Sequence, residues 1–259
     1  TPIKSSAASD VYKRQLIQST RNPTVKLVRS LLTKKGRRET GLHLIEGERL
    51  VAEAVSSGAE IDSLFVEEGR EPVYCPNGSV YQVKRHVLKS MTDTDNPQSV
   101  CAAVKTPDIK LPDEYPEGLI VALDCVQDPG NMGTIIRTAD AMGAAGLLLS
   151  SGCADPFGPK VLRSTMGSIY HLPIWQGELA AELVKLKSED FRLICGHLAG
   201  NEILPEPGRR CVLIIGNEGN GVSDAVAALC DKYRLPMFGR AESLNASVAA
   251  GIMMYEIAK

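Results

Sequence analysis

Apolar positions along the chain fall into short runs whose spacing switches between helical and extended. Between Asn22 and Leu32 the apolar residues Val25, Val28, Leu31 and Leu32 recur at helical intervals. Leu42–Ile45 reads as a short strand, and Glu48–Val55 as a helix with Leu50, Val51, Ala54 and Val55 on one side and Gly58 beyond its end. Ile61–Val66 and Ser79–Val83 follow as strands, His86–Met91 as a short helix and Val100–Val104 as a closing strand. This alternation predicts a small α/β domain over residues 16–105. Residues 1–15 show no periodicity and read as a non-native leader, outside the fold argument and with the native start missing.

Over 106–117 the rhythm breaks. Pro107, Pro112 and Pro116 stand among charged residues, a composition typical of a linker. From 118 to 259 the pattern becomes strongly βα. Leu119–Leu123, Gly146–Leu149, Phe191–Cys195 and Cys211–Ile215 are continuous apolar runs, as buried parallel strands require. Helical stretches lie near 131–142, 159–166, 178–187, 223–230 and 246–258. The pattern predicts a mostly parallel sheet covered by helices on both faces. Ligands of such sheets bind beyond the C-terminal strand ends, which directs attention to the loops after Leu123, Ile215 and Leu235.

Composition narrows the class. Hydrophobic residues make up 44% and charged residues 23%, an ordinary soluble composition. No apolar run reaches the roughly 18–20 residues needed to span a bilayer. The seven cysteines (75, 101, 125, 153, 195, 211 and 230) are scattered without a CxxC pair, and the four histidines form no metal-type cluster. A reduced, metal-free, cytoplasmic protein is the plain reading. The net charge of −2 conceals a polarised chain. Leu16–Leu50 carries eight basic residues (Arg21, Lys26, Arg29, Lys34, Lys35, Arg37, Arg38, Arg49) against Glu39, Glu46 and Glu48, a net +5. A localised anion-binding face and a solvated helix face both account for this.

The three loops carry unusual residues. After the first strand of the second half comes DPGNMGTIIRTADAMG (128–143). Here Asn131 is a candidate N-cap, and the helix it opens offers free N–H groups to an anion. Arg137 lies farther along, on a face with Thr134 and Ala141. The spacing is not GxGxxG, and with no ribose-binding acid it disfavours a nicotinamide-dependent dehydrogenase. The second loop, LIIGNEGNGVS (213–223), holds three glycines in six residues around Glu218, which is expected to meet a cation or hydroxyl donors. The third, LPMFGRAESLNASVAAG (235–251), sets Ser243, Asn245 and Ser247 at the start of a helix rich in small residues. Each loop alone could be an ordinary turn or cap.

Together, in this order, they resemble motifs 1, 2 and 3 of the SpoU/TrmH family in the SPOUT superfamily of methyltransferases, with Ala246 where valine is common. ADPFGPKVLRSTMGSIYHLPI (154–174) looks like the same family. IQSTRNPTVK, KKGRRETGLHLIEGERLVAEA and NPQSV resemble its ribosomal-protein-like RNA-binding module, so the likeness runs from Ile17 to Gly251. The resemblance implies a trefoil knot in the C-terminal half, a feature no periodicity reveals. It implies binding of S-adenosylmethionine in a bent shape by Gly216, Asn217, Leu235, Met237, Ser243, Leu244 and Asn245. It gives Arg137 base or oxygen-orienting work on a ribose 2′-hydroxyl, with Asn131, Glu218, Ser243 and Asn245 orienting arginine, cofactor and ribose. It implies that Arg21, Asn22, Lys26, Lys34, Lys35, Arg37 and Arg38 contact RNA, more in keeping with large-subunit ribosomal RNA than transfer RNA. It also implies a homodimer through the catalytic domain. A catalytically silent or base-methylating SPOUT protein is the alternative; intact Asn131, Arg137, Glu218 and Asn245 speak against silence, and the SLNAS segment favours ribose chemistry.

Overall fold

A computed structural model describes residues 15–72 and 78–259. The leader expected at 1–15 lies outside them except for Gln15, which opens the first strand. The described residues divide into two compact units, with the boundary between Lys105 and Thr106.

Among the described residues the first unit holds a five-stranded mixed sheet in the order β1-β4-β3-β5-β2, with β1 Gln15–Ile17, β2 Leu42–Glu46, β3 Ile61–Glu67, β4 Ser79–Val83 and β5 Val100–Lys105. Strands β1, β4 and β3 run parallel, whereas β5 pairs antiparallel with both β3 and β2. Helices α1 (Pro23–Ser30), α3 (Glu48–Ser56) and α4 (Arg85–Met91) fall where their apolar spacing predicts. Val25, Val28, Leu31, Phe65, Val87, Leu88 and Met91 form one buried cluster.

An additional helix, α2 (Lys34–Thr40, KKGRRET), has no apolar period and escapes the pattern. Its ends hold it in place. Thr33 Oγ1 accepts the Gly36 N–H at 3.1 Å, and Gly41 closes it at φ 68°. Gly36 lets the helix approach the end of α1: a Cβ there would lie 2.1 Å from the Ser30 carbonyl oxygen.

The second unit is a six-stranded sheet, β11-β9-β10-β6-β7-β8, with every pairing parallel. Its strands are β6 Gly118–Leu123, β7 Gly146–Ser150, β8 Ile174–Gly177, β9 Arg192–Asn201, β10 Arg210–Ile215 and β11 Asp231–Tyr233. The intervening helices are α5 Pro129–Ala141, α6 Pro159–Thr165, α7 Leu179–Ser188, α8 Asp224–Ala227 and α9 Ala246–Ala258. Ile120, Val121, Ala122, Leu123, Leu147, Leu148, Leu149, Val212, Leu213 and Ile214 are all fully buried, which explains why these strands read as unbroken apolar runs. The chain steps outward from β6 to β8, crosses to β9 on the other side, and then inserts β10 between β9 and β6. That reversal creates the crevice in which such sheets bind ligands.

The proline-rich segment 106–117 packs as part of this second unit. Gln176 N donates to the Ile109 carbonyl at 2.8 Å, so the segment covers the β8 edge of the sheet. Tyr115 is buried edge-on against Trp175, and its hydroxyl donates to Glu182 Oε2 at 2.8 Å. Leu111 lies over Gly177, where a Cβ would meet it at 2.8 Å.

Candidate active site

The loop of residues 216–222 follows the central strand β10. Asn217 N and O each bond to the Gly221 peptide at 2.9 Å, closing a tight turn. Asn217 Oδ1 accepts from Gly219 N and Asn220 N, while its Nδ2 donates to the Cys125 carbonyl at 2.8 Å. A Cβ on Gly216 would sit 2.1 Å from the Gly221 carbonyl carbon, so no side chain fits there. Asp124, a buried carboxylate at the end of β6, accepts the Ser223 N–H at 2.8 Å and ties the loop to the neighbouring strand.

This turn forms one wall of a cavity of about 380 Å³, within the ordinary range for a small-molecule site. Gly216, Asn217, Leu235, Met237, Ser243 and Leu244 all line it, and Ile215, Ala249 and Met253 add apolar surface. Asn245 does not line the cavity; it caps α9, where its Oδ1 accepts from Ser247 N and Ser247 Oγ. Sequence reasoning missed Gly196, His197 and Leu198 of β9, and Tyr233 and Arg234 near β11. The signal was the apolar run Phe191–Cys195: every parallel strand next to the switch point presents its C-terminal end to the same crevice. The loop after Leu123 was expected to share this crevice, but none of its residues lines the cavity.

That loop meets the cavity through Glu218 instead. Glu218 Oε1 accepts from Asp128 N at 3.0 Å and from Asn131 Nδ2 at 3.1 Å, and Oε2 accepts from Gln127 N at 3.2 Å. The donors are amides at the start of α5, where the helix dipole also favours an anion; the cation or hydroxyl donors expected from the sequence are not its partners. Burial alone would raise the Glu218 pKa, but bonds from Asn131, Asp128 and Gln127 outweigh it and hold the carboxyl below its usual value.

Asn131 is likewise placed differently from expectation. Asp128 is the N-cap of α5, accepting Asn131 N at 2.7 Å, and Asn131 is buried in the first turn. Its amide is thereby free for side-chain work. While Nδ2 donates to Glu218, Oδ1 accepts from Asn245 Nδ2 at 2.9 Å. A single hydrogen-bonded chain, Ser247–Asn245–Asn131–Glu218, thus joins all three motifs.

Arg137 stands apart from both features. It is exposed on α5 with Thr134 and Ala141, does not line the cavity, and has no ion pair or hydrogen bond among the described residues. Six residues separate it from Asn131, about 9 Å along the helix axis. An unpaired guanidinium on the helix that this network anchors is available to an external anion or hydroxyl.

In the first unit, Arg21, Lys26, Lys34, Lys35 and Arg38 are exposed; Lys35 makes only a loose pair with Glu39 at 3.7 Å. Asn22 caps α1 by accepting Thr24 N at 2.8 Å. Arg37 departs from expectation. Only 8% exposed, it donates from Nη1 to the Leu31 carbonyl at 2.7 Å and braces the turn between α1 and α2.

Comparison with known proteins agrees with this architecture. The model of the SpoU rRNA Methylase family matches residues 118–255, and that of an MRM3-like substrate binding domain matches residues 22–102. A relative from Bacillus subtilis (strain 168), 23S rRNA (guanosine(2553)-2'-O)-methyltransferase RlmP, is 38% identical over 247 residues, covering 93% of this chain and 98% of its own. The crystal structure of an AdoMet-bound rRNA methyltransferase from Sinorhizobium meliloti superimposes with a TM-score of 0.85 at 35% identity, covering 94% of this chain and 97% of that one. The SpoU methyltransferase AviRb from Streptomyces viridochromogenes, in complex with the cofactor AdoMet, gives 0.79 at 30% identity, covering 92% and 97%. With a family model over residues 118–255, more than half of the chain, and a relative matched over nearly its full length, the chain belongs to the SpoU rRNA methylase family.

Proposed function

We propose that this protein transfers a methyl group from S-adenosylmethionine to a ribose 2′-hydroxyl of structured RNA, with large-subunit ribosomal RNA as the substrate. The carrying observation is the glycine-walled cavity at the ends of β9 and β10, coupled through Glu218 and Asn131 to the start of α5. The cavity suits the cofactor. Peptide groups of the Gly216–Val222 turn and the apolar surfaces of Leu235, Met237 and Leu244 fit a flat purine. Glu242, Ser243, Asn220 and His197 add polar groups to the lining, the Glu242 carboxylate being matched to a cationic ligand.

When bound, S-adenosylmethionine supplies a methyl group already activated by its sulfonium. The protein's remaining tasks are positioning the acceptor and handling its proton. Arg137 holds the ribose oxygen and a neighbouring phosphate; a guanidinium keeps its proton in water and is a poor base by itself. Asn131 and Glu218 fix the first turn of the helix that carries it, and Asn245 locks that turn to α9. Purified protein should bind S-adenosylhomocysteine in calorimetry with EDTA present; no heat at millimolar ligand would remove the enzyme reading.

RNA capture falls to the first unit, through Arg21, Lys26, Lys34, Lys35 and Arg38, with Asn22 shaping the surface and Arg37 bracing it. If about four of these cations touch phosphates, log affinity should fall against log salt with a slope of roughly −3. Reversing Lys34, Lys35 and Arg38 to glutamate should flatten that slope, and an unchanged slope would move RNA capture elsewhere.

The protein acts as a homodimer through its catalytic unit, in the cytoplasm where ribosomes are assembled. Support comes from α9, where Val248, Ile252 and Tyr255 form an exposed apolar stripe at helical spacing. Helix α9 packs on α5, which displays Thr134, Arg137 and Ala141. Light scattering should give twice the 27.9 kDa chain mass; an active monomer would contradict this. The knotted course implied by the motifs belongs to the same reading, supported by insertion of β10 between β6 and β9. Among the described residues no helix is long and apolar enough to cross a membrane.

A further inference from the structure

We propose that Phe238 is a base-stacking residue whose ring packs on a base of the RNA beside the ribose to be methylated. This rests on the methyltransferase reading above.

The chain has four phenylalanines. Phe65, Phe157 and Phe191 are at most 4% exposed, whereas Phe238 is 100% exposed. Leaving a large apolar side chain in water forgoes the stabilisation that burial gives its three counterparts. The ring sits in a particular place. Met237 on one side and Glu242, Ser243 and Leu244 on the other line the cofactor cavity, so residues 238–241 form an outward arc whose two ends are built into the cavity wall. Methyl transfer requires donor and acceptor within contact distance. On that reading the acceptor nucleotide lies at the mouth of this cavity, whose wall carries the two ends of the arc.

The chemistry of the arc fits a nucleotide better than a protein surface. Arg240, two residues on, is exposed and has no ion pair or hydrogen bond among the described residues. Gly239 between them has open space around it, leaving the backbone bare on that side. An exposed aromatic ring beside a free guanidinium is the combination that grips unstacked RNA, the ring taking a base face and the cation a phosphate or second base. The exposed apolar stripe of α9 is a different surface. It lacks an interleaved cation over Val248–Tyr255, and it begins beyond the Asn245 cap.

The test compares the full-length wild type with Phe238→Ala, Phe238→Leu and Phe238→Tyr. Initial rates are measured with labelled S-adenosylmethionine on an unmodified 23S rRNA transcript. Removing a base–aromatic stack should raise KM for RNA by about ten- to a hundred-fold in Phe238→Ala. Leucine, apolar but without a π-face, should not restore it, whereas tyrosine should. Affinity for S-adenosylhomocysteine and the mass by light scattering should stay as in the wild type. An unchanged KM in Phe238→Ala, or full rescue by leucine, overturns the proposal. A parallel loss of cofactor affinity would make the ring a cover for the cofactor, and dissociation of the dimer would make it a subunit contact; either also overturns it. A wild type that binds the cofactor yet labels neither this transcript nor total ribosomal RNA defeats the broader reading, and this one with it.

Discussion

Arg137→Ala should lower the rate of methyl transfer by about a hundred- to ten-thousand-fold, the usual contribution of a group acting on a transferred proton or its oxygen. Cofactor affinity should be nearly unchanged, because Arg137 does not line the cavity. Stability should hardly move either: the side chain is exposed and partnerless among the described residues, so its removal breaks no internal contact. Arg137→Lys should fail to rescue, since an ammonium lacks the planar fork that could hold a phosphate and a hydroxyl together. Single-turnover rates with calorimetry on the same preparations separate these effects. A fully active Arg137→Ala would leave the arginine with no role in the reaction.

Gly216→Ala should have an effect as large on the other side of the reaction. Its Cβ would stand 2.1 Å from the Gly221 carbonyl carbon and 2.2 Å from Val222 N, far inside the ~3.5–4.0 Å of a normal contact. Both neighbours are backbone, so no side chain can swing aside, and the turn closed by Asn217 and Gly221 must open. Opening the turn disrupts one wall of the cavity, and calorimetry should find binding of S-adenosylhomocysteine weakened by about a hundred-fold or more, a loss of roughly 2.8 kcal/mol. Gly239→Ala is the control, because its Cβ would meet nothing within 4 Å. Wild-type affinity in Gly216→Ala would remove the turn from the cofactor site.

Much of this architecture is legible where burial dictates the pattern. The strands β6, β7 and β10 read as apolar runs because both of their faces are covered. Helix α1 shows its period because only Val25 and Val28 turn inward. Elements held by other means escape. Helix α2 rests on two caps and a close glycine approach, so KKGRRET offers no apolar stripe. Strands β8 and β11 lie at the edges of their sheet and are only four and three residues long, too short for a period to register.

The site divides along the same line. The glycine-rich turn of 216–221 after a buried strand is recorded in local sequence, whereas Leu235, Met237, Ser243 and Leu244 are implied by the family resemblance and are brought to the same cavity by the fold. Asn131 shows the limit. A polar residue after Pro-Gly at a helix start fits a cap equally well, and only the position of Asp128 one turn earlier frees its amide for Glu218 and Asn245. Those partners lie 87 and 114 residues away along the chain, beyond any local pattern. Arg37 is the converse: a basic residue in a basic run, turned inward by a carbonyl six residues earlier.

The central claim is that the acceptor is a ribose hydroxyl, and one substitution in the RNA tests it. The methylated nucleotide is first mapped by mass spectrometry of RNA labelled by the wild-type protein. Two otherwise identical RNAs are then compared, one all-ribose and one with a single 2′-deoxy nucleotide at that position. The account predicts full labelling of the first and none of the second, since the deoxy sugar has no oxygen to receive the methyl group. Continued labelling of the 2′-deoxy RNA at that nucleotide would place the methyl group on the base and contradict the account.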